Sequence, residues 1–184
     1  MKAIDSGTKT IITIFIKTLS IYAILSVFFY CYEGLIDHHG NYYSSFLDQY
    51  SLIKLILNLL KYPIVWILHT LGYTVIVTGP MISLVHGKGI VIYTACLGIQ
   101  IMIGYVALII GFPGRKKLLF ILSGLIFIHL LNILRMVSII LTVENYPSVV
   151  DLSHDIFTYM SYVIMILFYY LWTKKYAVDS NHAH

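Results

Sequence analysis

Four stretches of this chain, 62–87, 89–114, 118–134 and 156–173, contain no Asp, Glu, Lys or Arg. Each approaches or exceeds the ~20 residues that cross a hydrocarbon core about 30 Å thick. A small water-soluble domain cannot bury so many consecutive apolar side chains, so the chain must be an integral membrane protein. Composition agrees: 59% of the 184 residues are hydrophobic and 11% are charged, where a soluble domain is roughly a quarter charged. A soluble enzyme, a nucleic-acid binder and a disordered tail are excluded. The formal charge of +4 therefore bears first on orientation and only then on any acidic partner.

The N-terminal region carries Lys2 and Lys9 ahead of an apolar stretch at 11–32, with Lys17 within its first turns. That stretch is longer than the ~7–15 residue core of a signal peptide and no Ala-x-Ala site follows it, so an uncleaved anchor is expected. The two cysteines, Cys31 and Cys96, make no disulfide framework. Neither internal repeats nor a linker divide the chain, and a single domain spanning 1–184 is expected.

Eight of the twelve basic residues fall in three clusters: Lys2/Lys9/Lys17, Arg115-Lys116-Lys117 and Lys174-Lys175. The positive-inside rule puts all three on the cytoplasmic side. Spans are then expected at about 11–32, 96–112, 118–143 and 156–173. The loop 144–155 holds Glu144, Asp151 and Asp155 but no Lys or Arg, as suits the outer side. The aromatic run Phe168-Tyr169-Tyr170-Leu171-Trp172 is expected to mark the inner boundary. Residues 33–95 form an external segment in this scheme. Its stretch 51–71 is interrupted by Lys54, Lys61, Pro63 and His69 and is expected to lie in, or dip into, the outer leaflet. The β-branched runs and turn residues of 74–93 suggest a small external β-hairpin. The fold class is an all-α polytopic membrane protein, with about four transmembrane helices plus the outer-leaflet helix and the hairpin. In a competing arrangement 51–71 is a true span and the N-terminus is outside, which misplaces three lysines.

Three chemically special side chains share one depth. Cys96 lies 19 residues before Arg115, Arg135 lies 18 after Lys117, and His154 lies 20 before Lys174. At 1.5 Å per helical residue each is about 27–30 Å from the inner boundary. A thiolate attacks carbonyls while an imidazole takes its proton and later protonates the leaving amine. A guanidinium, with five fixed donors, holds the oxyanion formed between those steps. Each residue also has a purely structural reading: packing for Cys96, an interfacial position for His154, and an ion pair with Glu144, Asp151 or Asp155 for Arg135. An arginine inside an otherwise uncharged helix is nonetheless costly unless paired or snorkelled. Gln100, four residues after Cys96, is expected on the same helical face, with Gly104 beyond it. Asn132, three residues before Arg135, is placed to orient it or accept from it. Thr158, Ser161 and Met165 continue the face of His154.

Thr94-Ala95-Cys96-Leu97-Gly98-Ile99, Asn132-Ile133-Leu134-Arg135-Met136 and Ser153-His154-Asp155 resemble the Cys, Arg and His blocks of the exosortase/archaeosortase family. The similarity extends through Leu71-Gly72-Tyr73, Gly87-Lys88-Gly89 and Leu171-Trp172, and the length is similar to that of the short exosortase subtypes. Leu97 stands where the family commonly has a small or polar residue. The resemblance implies a cysteine protease or transpeptidase of the cytoplasmic (inner) membrane, with its active site facing outside. Its substrates would be surface proteins ending in a short sorting signal, a transmembrane helix and a basic tail. It also implies Cys96 as nucleophile, Arg135 as oxyanion stabiliser and His154 as general acid/base, with Gln100, Asn132 and Asp155 in support.

No cofactor or nucleic acid is called for. The eight histidines include no His-Glu-x-x-His and no i, i+4 pair, and only Asp37-His38-His39 suggests a loose metal site. Glycine-rich phosphate loops are absent. The alternative from another class is a non-catalytic membrane subunit of a surface-polymer or protein export system, with Arg135 serving as a structural ion-pair partner.

Overall fold

The computed structural model describes residues 6–37, 42–85 and 87–176. The helices are α1 (Ser6–Ile36), α2 (Ser45–Gln49), α3 (Leu52–Thr70), α4 (Ile99–Gly111), α5 (Lys117–Asn145) and α6 (Val150–Tyr176). Strands β1 (Val75–Thr78), β2 (Met81–Leu84) and β3 (Gly89–Val91) stand between α3 and α4, and 3₁₀ turns occupy Thr94–Leu97 and Pro147–Val149. The chain is an all-α membrane protein carrying a small sheet.

Four helical stretches are long and apolar enough to cross a membrane: Gly7–Ile36, Ser45–Thr70, Lys117–Asn145 and Pro147–Tyr176. The number is the expected one, but the membership differs. The span expected at 96–112 begins with a 3₁₀ turn, and its α-helical part, α4, has 13 residues, about 20 Å of rise. Gly98 makes the break: at φ +72° it sits in the left-handed region, which an L side chain enters only with strain. The expected hairpin is a three-stranded antiparallel sheet in the order β1-β2-β3, with Val77 opposite Ile82 and Ile82 opposite Ile90.

The expected outer-leaflet segment 51–71 is α3, and the residues that appeared to interrupt it are each accommodated. Lys54 pairs with Asp48 at 2.6 Å, and Lys61 donates to the Gly79 carbonyl in the β1–β2 turn at 3.0 Å. Pro63 lies inside the helix and has no N–H for the carbonyl four residues back, that of Leu59. His129 of α5 takes up this carbonyl instead, with Nε2 3.3 Å from it. Leu60, Ile64 and Leu68 of α3 then join Met136, Val137 and Ile140 of α5 in the larger core, together with Ile82, Leu84 and Leu97. The N-terminus of α3 is fixed by Ser51, which accepts from the Lys54 N–H, and by Tyr32 of α1, which accepts from the Leu52 N–H at 2.8 Å.

At the opposite end of α5 lies the basic turn 111–117. Trp172, expected at a membrane boundary, is fully buried there, packed edge-on against Phe112 and donating from Nε1 to the Arg115 carbonyl at 3.0 Å. The Arg115 N–H donates to the Tyr176 carbonyl. Between the ends, α1 runs antiparallel to α4. A Cβ on Gly111 would come within 2.9 Å of the Thr18 Cα, so only glycine allows the two backbones to approach this closely.

Candidate functional site

Cys96 is carried by the turn Thr94–Leu97 and not by α4. Its N–H donates to the Tyr93 carbonyl at 2.8 Å, and its own carbonyl accepts from Asn132 Nδ2 at 2.9 Å. Gly98 closes the turn with its α-carbon face against the Asn132 side chain, 3.6 Å from where a Cβ would stand. Leu97 anchors the turn in the core at 1% exposure, and Cys96 is half-buried. Asn132, itself 5% exposed, therefore holds the backbone of Cys96. The sequence suggested that it would orient Arg135, one helical turn further on.

Arg135 is 7% exposed, deep for a permanent cation. Its terminal nitrogen is hydrogen-bonded to His154 Nε2 across the α5–α6 interface. A guanidinium donates only, so Nε2 is the bare nitrogen of the ring and the proton is on Nδ1. Nδ1 lies 3.5 Å from Asp155 Oδ1, a long contact between two exposed side chains. Arg135 Nε is closed off from solvent and has no hydrogen-bond partner, which leaves one strong donor unused in a low-dielectric setting.

Helix α6 starts at Val150, ahead of the span expected at 156–173, so His154 stands in its second turn. The Thr158 and Ser161 hydroxyls are satisfied within α6 by the carbonyls of His154 and Phe157. Gln100 departs from expectation most. The left-handed break at Gly98 removes the helical register that would have aligned it with Cys96. It faces α1, where Oε1 lies 3.5 Å from Tyr22 Oη and 3.4 Å from Ser26 Oγ.

The structure thus brings Arg135 to His154 and Asn132 to the backbone of Cys96, while it directs Gln100 elsewhere. Among the described residues no cluster of three metal-ligating side chains forms, and His38 and His39 of the suggested loose metal site lie outside those residues.

The family model described as Transmembrane exosortase matches residues 58–171, well over half of the chain and inclusive of Cys96, Asn132, Arg135 and His154. No curated protein and no solved structure matches the chain.

Proposed function

The chain belongs to the transmembrane exosortase family, and from this membership we propose that it is a membrane-embedded cysteine protease/transpeptidase that cleaves C-terminal sorting signals of surface proteins. In this reading Cys96 is the nucleophile, His154 the general acid/base and Arg135 the oxyanion stabiliser. The observation that carries it is the placement of a buried guanidinium against His154, with a spare donor at Nε, on the helix whose Asn132 holds the Cys96 carbonyl.

The contact between Arg135 and His154 suggests how the reaction is gated. With the guanidinium bonded to Nε2, the basic lone pair of His154 is occupied. A substrate carbonyl entering beside Arg135 competes for the same donors. As the guanidinium turns to the carbonyl oxygen, Nε2 is released to take the Cys96 proton. The thiolate attacks the carbonyl carbon and the oxyanion rests on Arg135. Collapse breaks the C–N bond, the leaving amine takes the proton from the imidazolium, and an acyl-Cys96 thioester remains. Water or an acceptor amine attacks the thioester, giving its proton to His154 and regenerating the thiol. Asn132 keeps the attacking sulfur in place through the Cys96 carbonyl.

The substrates are proteins whose sorting signal precedes a membrane helix and a basic tail, and the site faces the outer side, opposite the basic turn. The test follows a tailed surface protein in the native host with a Cys96→Ala variant. Its cleavage stops while the variant stays membrane-inserted; normal cleavage by a stable Cys96→Ala protein would overturn the assignment. In a Cys31→Ser background, an impermeant thiol reagent applied from outside labels Cys96. Labelling only from inside would reverse the orientation.

A further inference from the structure

An open groove of about 450 Å³ runs between α1 and α6 along the face of α4. Its walls are Phe15, Leu19 and Tyr22 of α1 and Met165 and Tyr169 of α6, and its floor includes Gly104 and Ala107; no charged residue lines it. Such a small-residue floor lets another backbone come close, the condition for helix packing inside a membrane. The groove leads toward the turn that carries Cys96. Tyr22 at its upper end is at hydrogen-bonding distance from Gln100, and Gln100 in turn lines a second cavity of about 140 Å³ beside Thr94 and Ala95, the two residues that precede Cys96. Gln100 supplies an independent sign of a ligand. Its Oε1 lies near the Tyr22 and Ser26 hydroxyls, but its Nε2 is cut off from solvent and has no partner. Within an apolar surrounding an amide donor without an acceptor is costly, and nothing in the described fold supplies one.

We propose that the groove seats the membrane-spanning helix of the substrate and that Gln100 Nε2 donates to a backbone carbonyl in the segment joining that helix to the scissile bond. This rests on the reading of Cys96 as a nucleophile acting on tailed membrane proteins. A helix in the groove has its backbone bonds satisfied internally. The segment that rises from it to Cys96 is extended, and its carbonyls are the ones that need donors. Gln100 stands where the two meet, and the smaller cavity receives a side chain of the extended segment.

Gly104 offers the position for a test, because a Cβ there meets only Tyr22 Cε2, at 3.9 Å. Gly104→Phe fills the groove. The assay follows cleavage of a reporter fused to the signal, helix and tail of a surface protein from the same host, with Cys96 labelling by a small thiol reagent as the measure of an intact site. The expected result for Gly104→Phe is at least about a tenfold slower cleavage with labelling unchanged. Gln100→Leu should slow cleavage by roughly tenfold, the scale of one lost hydrogen bond. In full-length protein carrying a photoactivatable phenylalanine at Leu19, the reporter's helix should crosslink, and Gly104→Phe should suppress the crosslink. Undiminished cleavage by Gly104→Phe overturns the proposal, as does a Leu19 probe that captures photoactivatable phospholipid and never the reporter helix. If Cys96→Ala still cleaves the reporter, the underlying catalytic reading fails, a result distinguishable from failure of the groove alone.

Discussion

The link between Pro63 and His129 yields a prediction with a reversal built into it. Pro63 deprives the Leu59 carbonyl of its helical donor, and His129 replaces that donor at 3.3 Å. His129→Leu keeps an apolar side chain on α5 but leaves the carbonyl without a partner against the core, a loss of about 1–3 kcal/mol. Pro63→Ala restores an N–H to the helix at the right position, so the carbonyl is satisfied whether or not His129 is present. In that background His129→Leu should cost less than about 1 kcal/mol, the residual loss of a second hydrogen bond. The assay is thermal unfolding of purified protein in detergent for all four members of the cycle. At roughly 2–4 °C per kcal/mol for a chain of this size, His129→Leu alone lowers the midpoint by about 2–12 °C, and the drop largely disappears when Pro63→Ala is present. An equal drop in both backgrounds would show that His129 acts through packing alone and would refute the reasoning. The effect reaches the site because α3 shares its core with Leu97, the residue after Cys96.

Three further outcomes follow from the site. Asn132→Leu leaves the Cys96 carbonyl without its side-chain donor and should slow cleavage of a tailed reporter by about 10–100-fold through misplacement of the sulfur, with the protein still inserted as judged by protease protection. Arg135→Lys keeps the charge but loses the planar set of donors; it should reduce the cleavage rate by about 10²–10³-fold in a single-turnover assay while the reporter still binds. Gly98→Ala should lower stability by about 1–2 kcal/mol through its φ of +72° alone, because the added Cβ has ordinary contact with Asn132 at 3.6 Å; a thermal melt in detergent checks it, and Gly98→Asn should lose less.

The long helices were legible because uncharged length and basic flanks dictate them: α5 and α6 contain the expected spans 118–143 and 156–173 with their ends extended by a few residues. The meeting of Arg135 and His154 accords with their equal distances along α5 and α6 from the basic flanks, whereas the same conversion of length to depth lapses for Cys96, which lies beyond the break at Gly98. What failed was register. Gly98 entered the sequence reading only within the block Thr94–Ile99, and nothing there marked the left-handed conformation that resets the direction of everything after it. That is why Gln100 faces α1 and Cys96 leaves the helix. Asn132 illustrates a second limit. Its position on α5 was clear from spacing, but whether it served its helical neighbour Arg135 or a carbonyl 36 residues away depends on which chain packs beside it. Lys54, Lys61 and Pro63 looked like defects in a helix because their partners, Asp48, Gly79 and the His129 that relieves Leu59, lie on other elements.

The turn that carries Cys96 has a mechanical consequence. A helix of 13 residues is shorter than the hydrocarbon thickness, so α4 must draw the surrounding lipid inward or reach the interface through its flanking residues. Had Cys96 been part of that helix, its sulfur would have followed each such adjustment. Because Gly98 acts as a joint and Asn132 ties the turn to α5, the sulfur moves with the helix that bears Arg135. The turn that carries Cys96 is thereby tethered to the helix that bears Arg135, and a shift of α4 against the bilayer is taken up at Gly98.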